Sequence, residues 1–480
     1  MRSFAPDSKA CARRLTTMIV VQAVALCLIS HVAVASPPNI LLIIADDQAP
    51  ETIGALGLTD IDTPNLDRLV ESGTVFNHTY NMGGWHGAIC VASRTMLNTG
   101  RFLWGARDAE NTLGRETERR RMWSQMLEDA GYATYFTGKW HVRADAKKLF
   151  QNVGHVRPGM PGAVAAGYNR PIKGQPDEWS PSDPKFGGFW QGGRHWSMTV
   201  ADTAEGFLEQ AKESEDPFFM YLAFNAPHDP RQSPQEYVDR YPLDRIELPP
   251  NYLPEYPHAR GIGAGPDLRD ERLAPFPRTE YAVKVNRAEY YALITFMDTQ
   301  IGRILDALEA TGKADNTIII FTADHGLGVG QHGLLGKQNM YEHSLRVPMI
   351  LSGPGIDAGG EIDARVYYQD IVPTTLELAG IEVPEQVDYK SLWPLIRGEQ
   401  DELHDVIYAA YRPDRQRAVI RDGFKLIHYP SINVFRLFHL ADDPHEMKDL
   451  IDSPDHADTV AMLKQTLVET QRAMGDPLVK

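Results

Sequence analysis

Short apolar runs, each closed by charged or imidazole side chains, recur along this chain. Asn39–Ala45 ends in Asp46-Asp47, and 133–137 ends in Gly138-Lys139-Trp140-His141. The run 218–225 leads into Ala226-Pro227-His228-Asp229, and Thr317–Ala323 into Asp324-His325-Gly326. Runs this short and apolar, separated by helix-like stretches such as 121–130 and 290–310, predict strands buried on both faces. In a largely parallel sheet the carboxyl ends of the strands lie along one edge, where ligands bind, so the four polar clusters are expected to meet there. Stretches 376–378 and 392–396 read as helices packed on this part. After residue 400 the pattern changes: strand-like runs at 406–409, 418–420, 425–429 and 437–440 precede a helical stretch at 456–474, predicting a small antiparallel sheet with one covering helix.

The expected fold is therefore α/β, with a large, mostly parallel central sheet flanked by helices over 36–399 and a smaller C-terminal α+β part over 400–480. About 445 residues remain once the first 35 are set aside, more than a single core usually supports. Those first 35 read as a signal peptide. Arg13-Arg14 precede an apolar stretch at 18–29 that is too short to cross a bilayer, and Ala33-Val34-Ala35 offers small residues for cleavage. Leu26, before Cys27, is not the small residue that a lipid-anchored cysteine requires. The expected location is periplasmic or extracellular, with no membrane span.

Cleavage takes the net charge from −16 to −19 and removes Cys11 and Cys27, leaving Cys90 alone. So acidic a chain excludes nucleic acid as a bulk partner. An anionic substrate stays open, because a few cations focused in one cleft set the local potential. A lone thiol forms no internal disulfide; it is either a small buried apolar group or has a chemical task.

Taken singly, each polar cluster has an ordinary reading. Asp46-Asp47 suits a loop or helix start, Lys139 and His141 a solvated strand end, His228 a loop histidine, and Asp324-His325-Gly326 a turn. Four buried strands all ending in such groups need partners for those charges. Asp46, Asp47 and Asp324 in one pocket require compensation, which a hard divalent cation with oxygen ligands and one imidazole supplies, Ca²⁺ or Mg²⁺ better than zinc. Arg94, Lys139, His141, His228 and Lys337 stand against these acids as donors for an oxyanion such as sulfate or phosphate.

The ordered set of Asp46-Asp47, Cys90-Val91-Ala92-Ser93-Arg94, Thr137-Gly138-Lys139-Trp140-His141, His228, Thr322-Ala323-Asp324-His325-Gly326, His332-Gly333 and Gly336-Lys337 resembles the formylglycine-dependent sulfatases of the alkaline-phosphatase-like superfamily. His325, where many members carry Asn, is similar to the iduronate and choline sulfatase branch. The resemblance implies that a maturation enzyme converts Cys90 to formylglycine, whose hydrate supplies the attacking hydroxyl. It also implies that Asp46, Asp47, Asp324 and His325, with the modified Cys90, bind Ca²⁺, Mg²⁺ being the alternative. Arg94 and Lys139 would hold the hydrate and the sulfate, and His141 would take a proton when sulfate is released. His228 and Lys337 would contact the ester and serve the departing alcohol, with Lys139 sharing the substrate. Ala92 stands where the family usually has Pro.

Two loop segments rich in rings and arginines suit a sulfated carbohydrate partner. The first carries Trp179, Phe186, Phe189, Trp190, His195 and Trp196, and the second includes Arg231, Tyr237, Tyr241, Tyr256, Arg269 and Arg272; the same rings equally suit pinning long loops to the core. Trp85-His86, just before Cys90, is a candidate border of the pocket. The alternatives are a phosphate or phosphonate ester hydrolase on the same fold, a small-molecule sulfatase of the choline type, and a binding protein whose cysteine is never oxidised. A cysteine phosphatase is disfavoured, since only three residues separate Cys90 from Arg94.

Overall fold

The computed structural model describes residues 37–162 and 164–479, besides Met1, so the expected signal peptide and its two cysteines lie outside the described residues. An eight-stranded sheet runs through the centre in the order Gly360–Tyr367, Gly73–Tyr80, Met349–Ser352, Thr317–Ala323, Asn39–Ala45, Phe218–Ala223, Ala133–Lys139, Asn152–Arg157. All neighbours are parallel except where Met349–Ser352 runs against the strands on both sides of it. Every residue of Asn39–Ala45 and Phe218–Ala223 is buried, as continuous apolar runs in a sheet covered on both faces must be.

The expected strands form at 39–45 and 317–323 as read, while Ala133–Lys139 runs two residues further and Phe218–Ala223 stops two residues sooner than the apolar pattern. Helix Trp123–Asp129 lies within 121–130, and the stretch 290–310 is the last two-thirds of a helix, Glu280–Ala310, of 31 residues. Thr279 caps its start, its side chain accepting from the Ala282 amide at 3.1 Å. Strands Gly73–Tyr80, Met349–Ser352 and Gly360–Tyr367 were not among the expected elements, and neither was the edge strand Asn152–Arg157, which falls at the start of a segment read as irregular.

A second sheet has five strands in the order Val434–His439, Phe424–Tyr429, Gln416–Arg421, Ile407–Tyr411, Gly83–Gly84, with helix Ala457–Ala473 packed on it. Its four C-terminal strands are antiparallel, as expected from the strand-like runs after residue 400. The fifth, Gly83–Gly84, pairs parallel with Ala410 and Tyr411. The segment leading into Cys90 is thereby stitched to the C-terminal sheet. Helix Ile89–Thr99 is buried on every side because it lies between the two cores: Ile89, Ala92 and Met96 pack with the small sheet, and Leu97 packs with the large one. No helix among the described residues is long and apolar enough to cross a membrane.

Candidate active site

Strand register assembles the site. Ala45 pairs with Ala323, and Ile44 pairs with Ala223, which in turn pairs with Gly138. Asp46, Asp324 and Lys139 therefore leave three strands side by side, with the loop to His228 between them. Gly138 turns its strand there with a φ of +103°, and a Cβ at that position would lie 1.8 Å from the Ala223 carbonyl oxygen, so only glycine fits. Asp47 takes a left-handed φ of +68° and is held by Tyr290, whose hydroxyl donates to the Asp47 carbonyl at 2.6 Å.

Cys90 sits in the first turn of helix Ile89–Thr99, facing these strand ends. Its thiol lies 3.4 Å from Asp46 Oδ1 and 3.6 Å from Asp47 Oδ1, and Lys337 Nζ is 2.9 Å from the sulfur. Lys337 also donates to Asp47, at 2.5 Å to Oδ1, and Lys139 donates to Asp46 Oδ2. One turn on from Cys90, Arg94 donates from Nε to Asp324 Oδ2 and from Nη1 to the Lys139 carbonyl, both at 2.8 Å, leaving Nη2 buried without a partner. Asp324 Oδ1 accepts from the Asp47 amide at 3.3 Å. Arg94, Lys139, Asp46 and Asp324 are wholly buried.

Burial sets the protonation states and the paired cations correct them. It pushes the Asp46 carboxyl up to about 6 despite Lys139. It acts the same way on Asp47, where Lys337 and His228 outweigh it and hold the carboxyl below its ordinary value. Asp324 is likewise brought well down by Arg94, Lys139 and Lys337 against the push of burial. The Cys90 thiol is driven far up by burial and by Asp324, so as cysteine it stays un-ionised and a poor nucleophile.

The histidines divide into two states. Burial, reinforced by Lys139 and Arg94, pushes His141 down to about 2 and keeps it neutral. Its ring lies against Gly159, where a Cβ would come within 2.2 Å of the imidazole. His228 also feels burial downward, but Asp229, together with Asp46 and Asp47, outweighs it and leaves the ring above its ordinary value. His228 Nδ1 is 2.8 Å from the Asp229 carbonyl and 3.0 Å from Asp229 Oδ1, which turns Nε2 toward Asp47 at 3.6 Å. Tyr168 donates to Asp229 Oδ2 at 2.8 Å and Arg269 Nη2 reaches Oδ1 at 3.4 Å. His325 is held through Nδ1 by the Gly326 carbonyl at 3.0 Å, with Nε2 buried and unpartnered.

A cleft of roughly 240 Å³ opens onto this group, with Cys90, His141, His228 and Lys337 on its floor and Gly87, Gly159 and Arg269 among its walls. Thus Asp46, Asp47, Cys90, Arg94, Lys139, His141, His228, Asp324, His325 and Lys337 lie together here, whereas Trp85 and His86 do not line the cleft. A set of four ligand atoms, from Asp46, Asp47, Cys90 and His228, lies within 4.8 Å of one another. Asp229, Tyr168 and Tyr290 complete the site but were not read as part of it, the adjacency of Asp229 to His228 being the one local signal; Arg269 was named only among the loop arginines.

The aromatic loops have a different place. Phe189 stacks on His195 at 4.9 Å, Trp179 packs on Phe186 at 5.2 Å, and Arg231 donates to Asn286, so these groups pin loops to the core. Of the loop arginines named from sequence, Arg269 is the one that reaches the cleft wall.

Comparison with known proteins agrees with the geometry. Residues 38–381 match the profile of the Sulfatase family, well over half the chain. The chain belongs to the sulfatase family. It is accordingly a sulfuric ester hydrolase, and residues 330–473 further match the profile described as N-sulphoglucosamine sulphohydrolase, C-terminal. An N-acetylglucosamine-6-O-sulfatase of Bacteroides thetaiotaomicron is 27% identical over 514 residues, covering 92% of this chain and 87% of its own. A choline-sulfatase of Rhizobium meliloti is 28% identical over 449 residues, covering 87% and 83%. A solved structure in complex with its substrate D-glucosamine-2-N,6-O-disulfate shares the sulfatase fold at a TM-score of 0.70 and 23% identity, over 92% of this chain and 99% of that one.

Proposed function

We propose that this sulfatase is exported and removes sulfate from a sulfated carbohydrate, with Cys90 oxidised to formylglycine by a maturation enzyme and Ca²⁺, or Mg²⁺, held in the acidic pocket. The observation that carries the reading is the setting of Cys90: a thiol too buried and too far from ionised to act as cysteine, yet touching Lys337, Asp46 and Asp47 at the floor of a cleft. The hydrated aldehyde would supply the attacking hydroxyl.

The remaining steps belong to the chain's own side chains. Arg94 and Lys139 fix the nucleophile and the sulfate by charge-assisted hydrogen bonds. His228, with Nδ1 bound to Asp229, and Lys337 hold the bridging oxygen and give the proton that the departing alkoxide needs. His141, kept neutral, accepts a proton from the nucleophile when sulfate is released.

Asp46, Asp47 and Asp324 suit a hard divalent cation, and the unpartnered Nε2 of His325 adds an imidazole. Such an ion would offset three carboxylates that are otherwise balanced by Lys139, Lys337 and Arg94. Sulfated amino sugars are the substrate class that the N-acetylglucosamine-6-O-sulfatase relative supports.

Mass spectrometry of the peptide carrying Cys90 to Arg94 tests the reading. Protein co-produced with a maturation enzyme should show a residue about 18 Da lighter than cysteine, reactive toward hydrazides. An active preparation that holds only unmodified cysteine would overturn it. Turnover of paired sulfate and phosphate esters of one alcohol separates sulfatase from phosphatase specificity.

A further inference from the structure

We propose that Arg412, with the Tyr411 hydroxyl, forms a second anion subsite beside the cleft, one that grips a further sulfate or carboxylate on the substrate.

The backbone of Arg412 is committed to this place. It stands at the end of strand Ile407–Tyr411 with a left-handed φ of +54°, a conformation costly for a residue with a Cβ. Its amide donates to the Gly84 carbonyl at 2.8 Å, and its own carbonyl accepts from Arg417 at 2.8 Å. The small sheet thus delivers Arg412 to the segment that runs into Cys90.

Its side chain, by contrast, is left unused by the fold. Among the described residues its guanidinium has no carboxylate partner; Nε is buried and unpartnered, and the group lies over the Tyr411 ring at 5.5 Å. Tyr411 is wholly buried, and its hydroxyl also lacks a partner. Both groups converge on Gly87, a wall of the cleft. A Cβ there would lie 3.3 Å from Arg412 Nη2 and 3.8 Å from the Tyr411 hydroxyl, so glycine leaves open the space between these donors and the cleft.

The rest of this rim is already balanced. Glu110 accepts from Trp85 Nε1 at 3.2 Å and pairs with Arg143 and His86 at 3.3 and 3.8 Å. Asp270 is taken by Arg269 and Gln338, and Asp414 lies 3.6 Å from Arg415. Among the described residues of this rim Arg412 is therefore the arginine left without a carboxylate, in a chain whose net charge is −16. A guanidinium and a hydroxyl, both donors, select an oxyanion. The subsite rests on the sulfatase reading and narrows it: the preferred substrate carries a second negative group near the ester being cleaved.

The test compares kcat/KM for glucosamine 6-sulfate and glucosamine 2-N,6-O-disulfate in the parent enzyme, Arg412→Ala, Arg412→Lys, Tyr411→Phe and Gly87→Ala. The parent should prefer the disulfate, and Arg412→Ala should cut that preference roughly ten- to hundredfold, as loss of a charged hydrogen bond does. Arg412→Lys should restore part of it, and Tyr411→Phe and Gly87→Ala should each lose a smaller part, the latter by displacing Nη2 a little. The melting temperature of Arg412→Ala should stay close to the parent's, since no carboxylate among the described residues pairs with the side chain. An unchanged preference in Arg412→Ala, or equal loss on both substrates, overturns the subsite. A parent that cleaves neither these sugars nor an aryl sulfate overturns the sulfatase reading instead.

Discussion

Arg94 and Asp324 meet at 2.8 Å across 230 residues of sequence, with neither side chain exposed to solvent. Their pairing joins the helix that carries Cys90 to the central strand that ends at the acidic pocket. Removing one member of such a pair strands the other as a buried charge. Arg94→Ala should therefore destabilise the fold by about 3–5 kcal/mol as well as abolish turnover. Denaturant unfolding of the parent and the variant gives the comparison, and an unchanged midpoint would show that Asp324 is balanced by other groups.

Metal removal should lower stability and activity together. Chelation leaves Asp46, Asp47 and Asp324 sharing only Lys139, Lys337 and Arg94, with nothing at His325 Nε2. The melting temperature should fall on adding chelator and recover with Ca²⁺ in a saturable way. Calorimetry should detect one site in the parent and a much weaker one in Asp324→Asn. A chelated protein that melts and turns over as before would remove the cation from the reading.

The leaving-group contrast isolates the acid. His228→Ala and Lys337→Ala should reduce turnover of sugar sulfates by ~10² to 10⁴ relative to an aryl sulfate, whose phenolate departs without help. Asp229→Asn should follow the same pattern more weakly, because Asp229 fixes the ring through Nδ1 and raises its proton affinity. His141→Ala should slow both ester types alike. Equal losses on both esters in the His228 and Lys337 variants would assign those residues to binding alone.

Acid should act on the fold through buried neutral histidines. His195, which accepts from the Ser197 amide at 3.1 Å, is pushed by burial from 6.5 down to about 3. Its folded value is depressed, so below pH 6.5 the unfolded chain takes up a proton that the folded chain refuses. The stability this ring contributes is complete above pH 6.5 and is lost progressively toward pH 3. His195→Gln should be the less stable protein at pH 7, and its deficit should shrink by about 2–3 kcal/mol between pH 6.5 and 4.5. A deficit independent of pH would mean that His195 titrates in the folded protein as it does in the unfolded chain.

The strands that carry the chemistry were legible because they are buried on both faces and end in charge. Asn39–Ala45 has no polar position past its first residue, and Thr317–Ala323 has only Thr322, whose hydroxyl is taken by the Pro348 carbonyl. Gly360–Tyr367 escaped because it is an edge strand exposed at Glu361 and Asp363, broken again by Arg365 and buried only toward its end. Met349–Ser352 is only four residues long, and its place is decided by pairing with Thr317–Ala323 rather than by local preference. In the site, Tyr168 and Arg269 reach Asp229 from segments whose spacing to it holds no periodic signal, so only the folded chain brings them together. The ring-rich loops stayed open between two readings because a tryptophan that pins a loop and one that stacks on a sugar look alike in sequence.

The pairing of Gly83–Gly84 with Ala410 and Tyr411 also sets an order in time. The helix that bears Cys90 is made long before strand Ile407–Tyr411, so while the chain is being synthesised one wall of its enclosure does not yet exist. Until that strand arrives, Ile89, Ala92 and Met96 lack the small sheet they pack against, while Cys90, one position along, faces the strand ends of the large one. A fragment ending after Leu378 would keep every strand of the large sheet, and Lys337 against the thiol, while leaving that face of the helix bare.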